Sequence, residues 1–151
     1  KPPFITIAQS IQASFAQGGV KVDLLPAAGS QVYSRVRAHQ HQGAIRMWLP
    51  DYFDAHPNAS SFAYNDGKSS TVAGLNGWKI PELNKETLAA IAEPDSTKRL
   101  DLYKKMQQEL QRSSPYVFID QGKTQIVMRD NVQGYQQGLN ADMVWFDQVT
   151  K

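Results

Sequence analysis

Trp48-Leu49-Pro50-Asp51-Tyr52-Phe53-Asp54 is the stretch of this chain best equipped for chemistry. It sets aromatic walls and a carboxylate side by side, directly after the apolar run Ala44–Leu49. That run reads as a buried strand, and ligands in open α/β sheets bind just past the carboxyl ends of strands. A carboxylate at a dry strand end suits a cationic amine, because a charge-assisted hydrogen bond there is stronger than a neutral one. The same residues admit a plainer role, with Trp48 in a core and Asp51 capping a turn, a position Asp favours anyway. Asp51 and Asp54 are also conceivable as the acid/base pair of an enzyme of unknown type. Such a pair needs surroundings that push its two pKa values apart.

Other chemistry is poorly served. There is no cysteine, which excludes disulfides, thiolate metal sites and cysteine nucleophiles and is compatible with an oxidising compartment. His39 and His41 stand two apart and would face different sides of a helix, and no His-Glu-x-x-His pairing exists. With His56 they read as surface histidines at a helix end and in a loop, and no metal site is expected. Gly67-Lys68-Ser69 imitates the end of a phosphate-binding loop, but the required glycine five residues earlier is Phe62. No serine sits in a Gly-x-Ser-x-Gly elbow. Asn58-Ala59-Ser60 is a formal glycosylation sequon, which means little if the source is bacterial.

The elements that must position these residues follow from periodicity. Ile7, Ile11 and Phe15 line one helical face, closed by Gly18-Gly19, and Val20, Val22 and Leu24 then alternate as a strand does. The unit opens on its helix, so a strand is expected upstream, as in a piece of a larger protein. A helix is expected over Gln31–His39, and a strand over Ala44–Leu49 ended by Pro50. Asp51–Gly77 reads as one long irregular stretch. Pro81 opens a helix with Leu83, Leu88 and Ile91 as its apolar stripe. The strongest element is the helix Ser96–Gln111, with Leu100, Tyr103, Met106 and Leu110 in line. Short strands are expected at Tyr116–Asp120 and Gln125–Met128, and a last apolar piece at Met143–Val149. The 151 residues suffice for one domain with a real core; 41% are hydrophobic and 20% charged, as in soluble globular proteins. The net charge of +2 is scattered rather than gathered in a stripe, which speaks against nucleic acid as a partner. No apolar run is long enough to span a bilayer. The chain starts Lys1-Pro2-Pro3 without a methionine, so the lack of a signal peptide says nothing.

One succession of segments is distinctive. A helix leads to Gly18-Gly19-Val20-Lys21-Val22-Asp23, then a helix bearing Tyr33, then Trp48 with Asp51-Tyr52. There follow Gly77-Trp78-Lys79-Ile80-Pro81-Glu82-Leu83, Asp95-Ser96-Thr97-Lys98-Arg99, Tyr103 with Gln107, Pro115-Tyr116-Val117 and Asn131-Val132-Gln133-Gly134-Tyr135. This order, over nearly the whole chain, resembles the C-terminal half of family 5 extracellular solute-binding proteins, the dipeptide and oligopeptide receptors of ABC importers. No single motif carries the likeness.

The resemblance implies an α/β fold, with 1–151 as a single domain. That domain would be one lobe of a periplasmic-binding-protein type II fold, a small mixed sheet flanked by helices. It implies a periplasmic, non-enzymatic receptor, monomeric when intact, that takes a peptide or other small-molecule ligand to a membrane permease and needs no cofactor. In the family a Trp-x-x-Asp segment supplies a buried aspartate for the peptide's N-terminal ammonium. Trp48-Leu49-Pro50-Asp51 is similar, which gives that role to Asp51 and the pocket wall to Trp48 and Tyr52. Arg46 is a candidate partner for the ligand carboxylate, or a solvated strand residue. Many members continue with Asp-Pro, whereas this chain has Asp54-Ala55-His56-Pro57. Relatives on the same scaffold bind sugars, opines, nickel chelates or haem, so a non-peptide solute such as a metal chelate or haem, held by the histidines, stays an alternative. The stretch Leu139–Lys151 would belong partly to the chain's return toward the other lobe. An isolated lobe should bind weakly, because such receptors bury their ligand by closing two halves.

Overall fold

Proline and glycine punctuate the chain and mark several helix ends: Pro3 precedes the first helix and Gly18 follows it, and Pro81 opens a later one. The computed structural model describes residues 3–123, 125–138 and 143–151. It contains α1 (Phe4–Gln17), α2 (Gly29–Arg37), α3 (His56–Phe62), α4 (Val72–Leu75), α5 (Pro81–Ala92) and α6 (Ser96–Ser113). A two-stranded sheet follows, made of β1 (Gln136–Gln137) and β2 (Val144–Trp145). The protein is thus mixed but mostly helical. The chain forms two compact units, Lys1–Trp48 and Leu49–Lys151.

In the first unit α1 ends in a Schellman closure. The Val20 N–H reaches back to the Phe15 carbonyl at 2.9 Å and Gly19 N–H to Ala16 at 3.0 Å, with Gly19 at φ +78°. α2 ends the same way, with Gln40 N–H on the Arg35 carbonyl, but the left-handed residue is His39 at φ +55°. Val36 is the buried residue of α2, and α1 buries none.

The second unit has a recognisable core. Ala59 and Ala63, Leu83 and Ala90, and Tyr103, Met106 and Leu110 pack α3, α5 and α6 together. Asp95 caps α6, accepting the Lys98 N–H at 2.9 Å. A buried amide ties the loops into this core. Asn65 Nδ2 donates to the Trp78 carbonyl at 2.8 Å, its Oδ1 accepts from Gly67, and its backbone exchanges two hydrogen bonds with the Asn84 side chain at 2.8 and 2.7 Å. A polar side chain only 4% exposed is tolerated because its groups are satisfied. Phe62, Trp78, Tyr116 and Phe118 form an edge-to-face aromatic cluster at 5.4–5.7 Å. Burial there pushes the Tyr116 phenol up to about 12, and Asn76 approaches its hydroxyl without completing a hydrogen bond.

Several expectations are corrected. The segments expected as strands at Val20–Leu24, Ala44–Leu49, Tyr116–Asp120 and Gln125–Met128 form no ladder. Among the described residues the sheet consists of β1 and β2, antiparallel, with Gln136 opposite Trp145. Alternation says which face a strand would bury, but its hydrogen-bond partner is non-local. At Val22 a side chain takes the partner's place, Gln12 Nε2 donating to the carbonyl at 2.6 Å. The stretch Asp51–Gly77 is not irregular throughout, since it holds α3 and α4. On α5 the buried line is Leu83, Thr87 and Ala90, whereas Leu88 and Ile91 are 55% and 50% exposed. Close approach of α5 to its neighbours favours the face with the smaller Thr87 and Ala90. On α6 the stripe starts one turn later than expected, with Leu100 52% exposed. Of the final piece Leu139–Lys151, residues 139–142 lie outside the described residues. Beyond them β2 pairs back to β1, and Gln133 and Thr150 exchange backbone hydrogen bonds at 3.0 Å. The close return fixes Gly134 (φ +72°), where a Cβ would lie 1.9 Å from the Gln148 carbonyl oxygen.

Candidate functional site

The boundary between the two units falls between Trp48 and Leu49, so Arg46 and Trp48 belong to the first unit and Asp51 and Tyr52 to the second. Arg46 is exposed, with its guanidinium over the Tyr33 ring at 4.8 Å. Arg37 lies over the same ring at 4.3 Å and donates to the Tyr33 hydroxyl at 2.8 Å. Trp48 is 37% exposed. In the second unit Asp51 and Tyr52 are both exposed.

Just beyond them the chain is clamped. Asp54 N–H donates to the Tyr52 carbonyl at 3.1 Å, and the Asp54 carboxylate accepts the His56 N–H at 2.7 Å as α3 begins. Pro57 in the first turn of that helix needs no donor there. Arg99, from the first turn of α6, forks the same carboxylate, Nη1 to Oδ2 at 3.0 Å and Nη2 to Oδ1 at 2.6 Å. The two side chains are about one-third exposed or less (28% and 30%), and bidentate geometry adds directional specificity to the charge. Arg99 Nη2 also donates to the Tyr103 hydroxyl at 3.2 Å, which stands 3.3 Å from His56 Nδ1. Arg99 has only donors, so the Tyr103 oxygen accepts from it; with His56 Nδ1 unprotonated the Tyr103 O–H donates to that nitrogen, and with Nδ1 protonated the Tyr103 oxygen accepts from it as well.

The Arg99 guanidinium, then the His56 N–H, hold the Asp54 carboxyl below its ordinary range. Burial pulls His56 down, with Arg99 adding to it and Asp54 opposing. Burial raises the Tyr103 phenol, and the Tyr52 phenol is close enough to act in the same direction. A carboxyl held down in this way is a poor general acid, which weighs against Asp54 as the acid of an acid/base pair.

Acid should therefore weaken the fold in two steps. A histidine lowered in the folded state contributes stability that is full above its ordinary value of 6.5 and declines as pH falls from there through the folded pKa. The Asp54 contribution is present above 3.8 and is lost as pH falls through its lowered value. Thermal unfolding across a pH series should show both losses, and His56→Gln should remove the upper one alone. A wild-type melting temperature that stays flat below 6.5 would contradict the His56 assignment.

His56, Arg99 and Tyr103 are not among the site residues expected from sequence, where Tyr103 reads only as part of the apolar stripe of α6. His56 is a partly buried member of a network rather than a surface histidine in a loop. His41 is half-buried with Nδ1 unpaired, and among the described residues no group of three His, Asp or Glu is placed to hold a metal ion. No helix among them is long and apolar enough to cross a membrane. Neither the protein-family models nor the curated proteins compared with this chain give a match.

Proposed function

We propose that residues 1–151 are the C-terminal ligand-gripping lobe of a periplasmic solute-binding protein, a type II binding-protein lobe that captures peptides or similar amine-bearing solutes for an ABC importer. The observation that carries this reading is Trp48-x-x-Asp51-Tyr52, in its place within the ordered succession of family-like segments. Its position after the apolar run Ala44–Leu49 supports the reading, because ligands in this class of fold bind where such runs end. The exposure of Asp51 and Tyr52 leaves both able to meet a solute, and the adjoining Asp54–Arg99 fork supports them from the helical core. Asp51 takes the ammonium, and Trp48 and Tyr52 wall the site. Arg46, stacked on Tyr33, serves as the carboxylate partner only if the ligand draws it off the ring.

The experiment is a titration of the intact two-lobe receptor with short peptides, followed by tryptophan fluorescence. Free-amine tripeptides should bind and N-acetylated ones should bind far more weakly. Equal affinity for both would reject the ammonium site. Binding of haem or a nickel chelate, seen by absorption, in place of peptide would assign the scaffold to another solute.

A further inference from the structure

Arg99 stands 45 residues from Asp54 in sequence, yet it supplies two of the hydrogen bonds that hold the segment bearing Asp51 and Tyr52. An isolated surface ion pair adds little to stability. This one differs in what it connects. At one end, α6 is anchored by Tyr103 (3% exposed) and Met106 (1%) in the core of its unit. At the other, the Asp54 carboxylate is joined through its own backbone N–H to the Tyr52 carbonyl, and it also fixes the start of α3. Tyr103 then braces the fork from behind, with the Arg99 guanidinium over its ring at 4.9 Å and His56 closing the far side. The segment 51–55 forms no helix or strand of its own before α3, so its geometry has to be imposed from outside. A binding group is useful only if a supporting shell holds it within a fraction of an ångström.

We infer that Arg99 is a positioning residue for ligand capture: through its fork on Asp54 it pins the Asp51–Tyr52 segment to α6. The inference rests on the reading of Asp51 as the ammonium partner. Lysine keeps the charge but cannot fork a carboxylate, so Arg99→Lys and Arg99→Met separate the geometry from the charge.

The test uses the full-length receptor, with trialanine bearing a free or an acetylated N-terminus as probe and amide hydrogen exchange as a ligand-independent readout. Arg99→Met should raise exchange across residues 52–56 while the amides of Met106 and Leu110 keep their protection. It should weaken free trialanine about tenfold, the loss expected when one charge-assisted contact goes. Arg99→Lys should fall between the two. Unchanged exchange across 52–56 would overturn the inference, as would unchanged trialanine affinity in a mutant whose segment is loosened. If the wild type treats free and acetylated trialanine alike, the ammonium reading fails separately. The exchange result then decides alone whether Arg99 pins the segment.

Discussion

Asp51→Asn in the intact receptor is expected to weaken binding of a free-amine peptide by about 2–5 kcal/mol, because the ligand's ammonium would be buried against a neutral amide. The substitution preserves shape and removes only the charge. Melting temperature without ligand should change modestly at most, since Asp51 lies at the surface, where substitutions cost little. Four titrations make the assignment specific: wild type and Asp51→Asn, each with free and N-acetylated peptide. If carboxylate and ammonium meet, removing both costs little more than removing either, and the two losses are strongly non-additive. Additive losses would place the ammonium elsewhere. Unchanged affinity together with lowered stability would leave Asp51 as a turn residue and nothing more.

The helices that could be read from sequence are those whose signals are local. α1 is written by Ile7, Ile11 and Phe15 with Gly19 behind them, α5 by Pro81, and α6 by Asp95 and the line Tyr103, Met106 and Leu110. α3 has no such line. His56–Phe62 contains two serines and an asparagine, all weak helix formers, and it is held by Ala59 and Ala63 packing on α5 and α6. Its one local clue is Pro57 in the first turn. The strand-like segments failed for a different reason. Val117 and Val127 are 85% and 96% exposed, so nothing in the described chain supplies the face or the ladder that their composition suits.

The candidate site divides in the same way. Asp51 and Tyr52 were accessible to sequence reasoning because a carboxylate between aromatics after an apolar run is informative by itself. Asp54 was visible only as a carboxylate, and its partner lies on another helix. Arg99 and Tyr103 are four apart on α6 and thus share a face, but spacing alone could not say that Asp54 and His56 meet that face. Arg46 was read toward a ligand, and the ring of Tyr33 competes for its guanidinium, since a cation gains from an aromatic face.

The choice of buried face on α5 leads to the second large effect. Leu83 is 1% exposed and lies in the cluster with Met106 and Leu110, so Leu83→Ala should cost about 2–5 kcal/mol, from lost transfer energy plus a cavity that α3 and α6 only partly close. Leu88 is five residues further on and 55% exposed, so Leu88→Ala should lie within about 0.5 kcal/mol of wild type. Composition cannot distinguish the two leucines, and a stripe of Leu83, Leu88 and Ile91 would bury both. Urea unfolding of the two variants decides between the faces. The midpoint should drop sharply for Leu83→Ala and hardly move for Leu88→Ala, with the slope unchanged in each. Comparable losses would mean that α5 is rotated to cover Leu88. Thr87, now 1% exposed and donating to the Leu83 carbonyl at 2.7 Å, would then turn toward water. A third variant, Thr87→Ala, guards against that ambiguity. In the observed packing it removes a buried hydroxyl whose hydrogen bond is internal to the helix, so the loss should be modest, about 1 kcal/mol. In the rotated packing it should be neutral or slightly stabilising, because alanine is the better helix former at an exposed position.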